Sequence, residues 1–141
     1  MKSPEQLAPA IDETRWTASA TTVAPLDDGA SLAATIGWGE KQLSDGTNLN
    51  GAFLEGEYRP SDPWTIFVRA EREENNELSS TPAVERVVKL TAGGIHDWTL
   101  AEHWKIGLGG LCDFDFVPSA LKSGYGSDPH GAMIFARIVA D

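Results

Sequence analysis

The 141-residue sequence has no apolar run of about 18 residues, the length a helix needs to cross a bilayer. A single cysteine, Cys112, excludes an internal disulfide framework and any zinc site built from cysteines. Basic residues are scarce: 11 Lys and Arg stand against 21 Asp and Glu, for a net charge of −10. That balance argues against nucleic acid as a partner, because phosphate contacts need a basic surface. The opening Met1-Lys2-Ser3-Pro4-Glu5-Gln6-Leu7 lacks the apolar stretch of a signal peptide, so an exported protein would be seen here as a mature form or a fragment. Long helical patterns are few, and 14 glycines with 8 prolines favour an all-β chain.

What the sequence does have is alternation of apolar and polar residues. It is clearest in Ser31 to Trp38, in Trp64 to Glu71 and in Lys105 to Gly109. A period of two means strands with one apolar and one polar face. Seven strands are expected, at roughly 16–25, 30–40, 49–59, 64–74, 85–96, 104–116 and 131–140. Residues 1–15, with two prolines and several charges, read as an irregular lead-in or linker. Residues 16–141 then form an antiparallel up-and-down β-barrel of about seven to eight strands, or the C-terminal part of a larger one.

The connections fall into two sets. Leu26 to Gly29, Arg59 to Pro63 and Asp97 to His103 are the shorter ones. Lys41 to Asn48, Asn75 to Ala83 and Val117 to His130 are the longer. In a meander the two sets lie on opposite rims, and short turns facing long loops are typical of outer-membrane barrels.

One face collects Leu32, Ile36, Leu54, Ile66, Val68, Leu90, Ile106, Leu108, Cys112 and Ile134, nearly free of charge through its middle. Trp16 and Trp38 fall near the long-loop rim, and Trp64, Trp98, Trp104 and Tyr58 near the short-turn rim. Aromatics at both strand ends with small aliphatics between them form the pattern of a membrane-interface girdle. The other face carries Glu55, Glu57, Arg69, Glu71, Lys89, Lys105, Asp113, Asp115 and Arg137, with Phe53, Phe67, Val87, Leu111, Met133 and Phe135 among them. Turned inward, those charges pair across a small lumen, or line a water-filled channel in a wide one and bias its selectivity.

Catalytic chemistry finds little support. Asp113 and Asp115 share a face and form a candidate pair for a divalent cation or acid–base work, but such a pair near a strand end is more often simply solvated. His96, His103 and His130 are scattered around turns and make a metal cluster only if the fold gathers them. Ser119 and Ser127 lie near His130 in sequence alone, and no Gly-x-Ser-x-Gly is present. Leu108-Gly109-Gly110 lacks the Lys-Ser/Thr of a phosphate loop, and its glycines are expected to ease strand curvature or close approach. No enzyme activity, cofactor or metal is expected.

The C-terminal part resembles the end of Gram-negative outer-membrane β-barrel proteins, through Leu108-Gly109-Gly110-Leu111, Phe116-Val117-Pro118-Ser119-Ala120-Leu121 and the run Tyr125 to Arg137. Leu54 to Arg59 and Phe67 to Glu73 are similar to such strands in outline. The resemblance spans residue 16 onward and is most specific over 104–137. It implies an outer-membrane barrel acting as a passive channel or embedded structural protein, with the lipid bilayer and small solutes as partners. The chain departs from that pattern by ending Ile138-Val139-Ala140-Asp141 without a final aromatic, and by showing seven strands where single-chain bacterial barrels have an even number. A truncated chain is expected to self-associate through its edges. A reading from another class is a soluble β-barrel binding a small apolar ligand, with Ile36, Val68, Leu90, Leu108 and Ile134 turned inward.

Overall fold

A computed structural model describes residues 12–78 and 83–140. Seven strands form one antiparallel sheet in sequence order: β1 (Glu13–Pro25), β2 (Ser31–Leu43), β3 (Asn48–Ser61), β4 (Trp64–Asn75), β5 (Glu85–Ala101), β6 (Trp104–Phe116) and β7 (His130–Ala140). The protein is all-β, as the alternation requires, the sheet is up-and-down, and it does not close on itself. A short helix, α1 (Lys122–Tyr125), sits between β6 and β7.

Three boundaries differ from the sequence reading. β1 begins at Glu13, inside the expected lead-in, because Glu13 to Arg15 pair with Leu43 to Lys41 of β2. Residues 1–11 of that lead-in lie outside the described residues, as do 79–82 of the connection after β4 and the terminal Asp141. β2 and β3 extend to Leu43 and Asn48, leaving only residues 44–47 as their connection. Gly46 takes a left-handed backbone there (φ 91°), which a side chain would strain. β5 continues through Asp97 to Ala101, so the expected loop shrinks to residues 102–103. The longer set of connections is thus carried by the segments after β4 and β6.

Apart from the irregular ends at Ser61–Trp64 and Ala101–Trp104, directly opposed residues have the same number parity: Glu13 faces Leu43, Ser31 faces Arg59, Gly51 faces Glu73, Trp64 faces His96, Val88 faces Phe116 and Trp104 faces Ala140. Opposed residues share a face. Away from those two register shifts, even-numbered residues of all seven strands therefore lie on one side and odd-numbered residues on the other. Every fully buried strand residue is odd: Gly37, Leu49, Thr65, Ile95, Gly107 and Gly109. The odd face is the inside of a curled sheet. Ser31 and Arg59, from β2 and β3, share one cavity of about 340 Å³ with Lys105, Arg137 and Val139, from β6 and β7.

Three cross-strand pairs help set that curl. Phe53 lies over Gly37, Phe67 over Gly93 and Phe135 over Gly109, each pair directly opposed in its ladder. A Cβ on any of the three glycines would collide with the ring beside it. An aromatic laid across a glycine covers the exposed backbone and allows the sheet to bend tightly at that point. The apolar residues on the polar face are therefore partners for its glycines.

Candidate functional site

The even face carries the apolar band, and it is exposed. Ile36 is 60% exposed, Leu54 57%, Val68 54%, Leu108 51% and Ile134 82%. Leu90 is exposed as well, so all five residues that an apolar-ligand barrel would turn inward lie on the outside instead. Among the described residues the buried hydrophobic set is only Ala30, Leu49, Ile95 and Leu121. That is far less than a close-packed interior of this chain length contains.

All six aromatics singled out in the sequence occupy this outer face and are exposed: Trp16, Trp38, Tyr58, Trp64, Trp98 and Trp104. Trp16 and Trp38 sit near the rim of the longer connections, where Phe114 and Phe116 join them. Trp64, Trp98, Trp104 and Tyr58 sit at the opposite rim. From Trp104 to Phe114 the chain spans roughly 33 Å along the strand at about 3.3 Å per residue. Charges return to the outer face in the rows of the belt nearer the longer connections: Arg72 shares the cross-strand row of Trp38 and Phe116, Glu40 faces Trp16, and Glu74 binds Arg72 at 2.8 Å and Arg86 at 3.0 Å.

At the short-turn rim His96 is held between two of the belt tryptophans. Its ring centre lies 4.6 Å from that of Trp64 and 4.4 Å from that of Trp98. Its Nδ1 is buried without a hydrogen-bond partner. His130 stacks on Phe114 at the other rim, and His103 occupies the turn between β5 and β6. Among the described residues, no group of His, Cys, Asp and Glu is gathered in a way that would hold a metal ion. Cys112 is exposed on the outer face, opposite Ala92 and Ala132.

The odd face holds all nine charged residues expected to line an interior. Arg69 binds Glu71 at 2.8 Å and Glu55 at 3.0 Å, and its guanidinium lies 4.4 Å from the Phe53 ring centre. Glu57 binds Arg59 at 2.7 Å, and Lys89 lies 3.9 Å from Asp113. Lys105 lies 3.6 Å from Asp62, in the turn between β3 and β4. Asp115 faces Lys89 across the β5–β6 ladder. Most of these contacts run along one strand or to its neighbour, so the charges line the trough instead of plugging it. The exposed pairs among them are screened by water. A trough of about 570 Å³, bordered by Arg15, Phe53, Arg69, Glu71 and Glu73, opens toward the rim of the longer connections.

The shortest ion pair among the described residues joins Asp97 and Arg137 at 2.6 Å. Asp97 of β5 binds Arg137 of β7 across the intervening β6, and Asp97 is nearly buried. Asp97 reads as loop from sequence because Trp98, Leu100 and His103 suggest the end of the alternation. The continuing run Ile95, Asp97, Thr99 on the odd face was the available signal.

No protein-family model, curated protein or solved structure matches this chain.

Proposed function

We propose that this chain is a membrane-embedded β-sheet of the outer-membrane barrel type, or the C-terminal part of a larger barrel, acting as a passive channel or an embedded structural protein. The reading rests on one observation above all: an exposed aliphatic band bounded by two aromatic belts, behind which the charged residues face inward. An exposed apolar surface of this extent is disfavoured in water and favoured in hydrocarbon. At the strand tilt of such barrels, near 45°, the roughly 33 Å between the two belts gives a height of about 23 Å, close to their apolar girdle of about 25 Å. Lipid is then the solvent of the even face, and small solutes in water that of the odd face. The balanced, partly hydrated charges suit a passive conduit or a polar interior.

Cys112 provides the test, because it is the sole cysteine and lies on the outer face. The purified chain, refolded into phospholipid vesicles, is treated with a membrane-impermeant maleimide and with an apolar one. The proposal expects β-structure only with lipid or detergent, and labelling of Cys112 by the apolar reagent alone. A compact monomer in plain buffer, with Cys112 open to the polar reagent, would overturn it.

A further inference from the structure

Three basic side chains from three strands meet in one cavity inside the curl. Arg59 of β3, Lys105 of β6 and Arg137 of β7 border the space of about 340 Å³ at the short-turn rim, together with Ser31 and Thr65. The carboxylates that border it are fewer, Asp62 and Asp97. Asp97 is held by Arg137 at two points, through Nε and Nη2. Asp62 lies 3.6 Å from Lys105 with its own side chain 80% exposed, so water weakens that pair. Arg59 binds Glu57 through Nε, which leaves its two terminal nitrogens for another acceptor. Like charges drawn into one space repel unless an anion stands between them.

Thr65 gives an independent sign of a ligand. At 3% exposed it is the one buried polar or charged residue among those described, and its hydroxyl makes no hydrogen bond to any other group of the chain. A buried hydroxyl ordinarily has a partner, because leaving it without one is costly. Thr65 lies on the odd face of β4, opposite Ile95, and borders the same cavity as the three cations.

We infer that this cavity binds the phosphate group of a small water-soluble solute, with the Thr65 hydroxyl, Arg59 and Arg137 donating to its oxygens and Lys105 adding charge. Guanidinium groups suit oxyanions, and hydroxyls approaching from other directions suit a tetrahedral set of oxygens better than a flat carboxylate. The volume stands at the small end of the range for small-molecule sites, about 300–1,000 Å³, and leaves room for a few carbons beside the phosphate. The larger trough at the opposite rim does not share this character, since carboxylates outnumber basic side chains along it. The odd face meets water whichever solvent the even face meets, so the site stands apart from the membrane reading.

Inorganic phosphate is the probe, titrated by calorimetry into the refolded full chain at constant ionic strength, with chloride as the competing anion. Plain buffer or a non-ionic detergent is used, whichever gives β-structure. The expected result is saturable one-to-one binding. Thr65→Val keeps the shape of the side chain and removes the donor, and should weaken binding about tenfold or more. Thr65→Ser should bind as the parent does. Arg59→Gln, at a side chain 54% exposed, should weaken binding at least as much as Thr65→Val, and Arg15→Gln, on the larger trough, should leave it unchanged. Absence of saturable binding overturns the inference, as does a folded Thr65→Val protein with the parent's affinity. Equal losses in Arg15→Gln and Arg59→Gln also overturn it, by reducing the effect to attraction of an anion to any exposed cation. If Thr65→Val loses its β-structure by circular dichroism, the contrast between Arg59→Gln and Arg15→Gln decides.

Discussion

Arg137 reaches over Gly107 to hold Asp97 at two points, Nη2 to Oδ2 at 2.6 Å and Nε to Oδ1 at 3.0 Å. The three residues form one row across β5, β6 and β7, with the glycine in the middle. A Cβ at Gly107 would collide with Asp97 Oδ1 and sit 3.0 Å from Arg137 Cγ. Gly107→Ala should therefore part the bridge and cost about 1–3 kcal/mol. Its denaturant midpoint should fall toward that of Asp97→Asn, and the double variant should lose little more than either alone. A Gly107→Ala protein as stable as the parent would show that the bridge is not held in this row.

The glycine–phenylalanine pairs should separate into two kinds. At Gly37 an added methyl meets only the far end of the Phe53 ring, whereas at Gly93 it also meets the Gly110 carbonyl at 2.6 Å and Leu111 Cβ at 2.9 Å. Shortening Phe53 to Ala should then recover much of the loss in Gly37→Ala. Phe67→Ala should recover little in Gly93→Ala, because backbone cannot swing aside. Double-variant cycles of unfolding free energy decide this, with a coupling of about 0.5–3 kcal/mol expected at Gly37 and Phe53.

On the outer band, Ile134→Arg and Leu108→Arg should each cost about 2–4 kcal/mol of folding free energy in lipid. Ser19→Arg, on the odd face of β1, should stay within about 0.5 kcal/mol of the parent. Equal costs on the two faces, measured by denaturation in vesicles, would count against a lipid-facing even side.

Arg69 joins two carboxylates on neighbouring strands, and all three side chains are more than a third exposed. Arg69→Met leaves Glu55 and Glu71 close together without their counter-ion. Water in the trough screens that repulsion, so the loss should be about 1 kcal/mol or less, and smaller again in high salt. A loss that does not change with salt would point to the Phe53 contact instead.

In the turn between β2 and β3, the Thr47 N–H donates to Asp45 Oδ1 at 2.8 Å and holds this carboxyl below the usual range. Its folded value is lowered, so its contribution is present above the unfolded carboxylate value and fades as pH falls through the folded one. Asp45→Asn should flatten that part of the stability–pH curve and leave the neutral region alone. An unchanged acid slope would remove Asp45 from the pH response.

Much of the architecture was readable because a strand's period of two survives in the residue order. Trp64 to Glu71 and Lys105 to Gly109 show their two faces without any knowledge of what they pair with. The nine interior charges and six belt aromatics were assigned to faces on that basis alone. Asp97 was missed because its neighbours look like a turn, and a ladder with β6 overrides that local signal. The phenylalanines on the polar face made no sense in sequence. Each is explained by a glycine on a neighbouring strand, sixteen residues away for Phe53 and twenty-six for Phe67 and Phe135.

Alternation along the chain by itself determined that this protein is built of strands with one apolar and one charged face, since side-chain direction in a strand depends only on position. Which face turns inward was a matter for the tertiary structure. Sheet curl arises where glycines let the backbones approach and aromatics lie over them, and those meetings depend on register between strands. Register likewise joined Asp97 to Arg137 across a strand that neither residue belongs to.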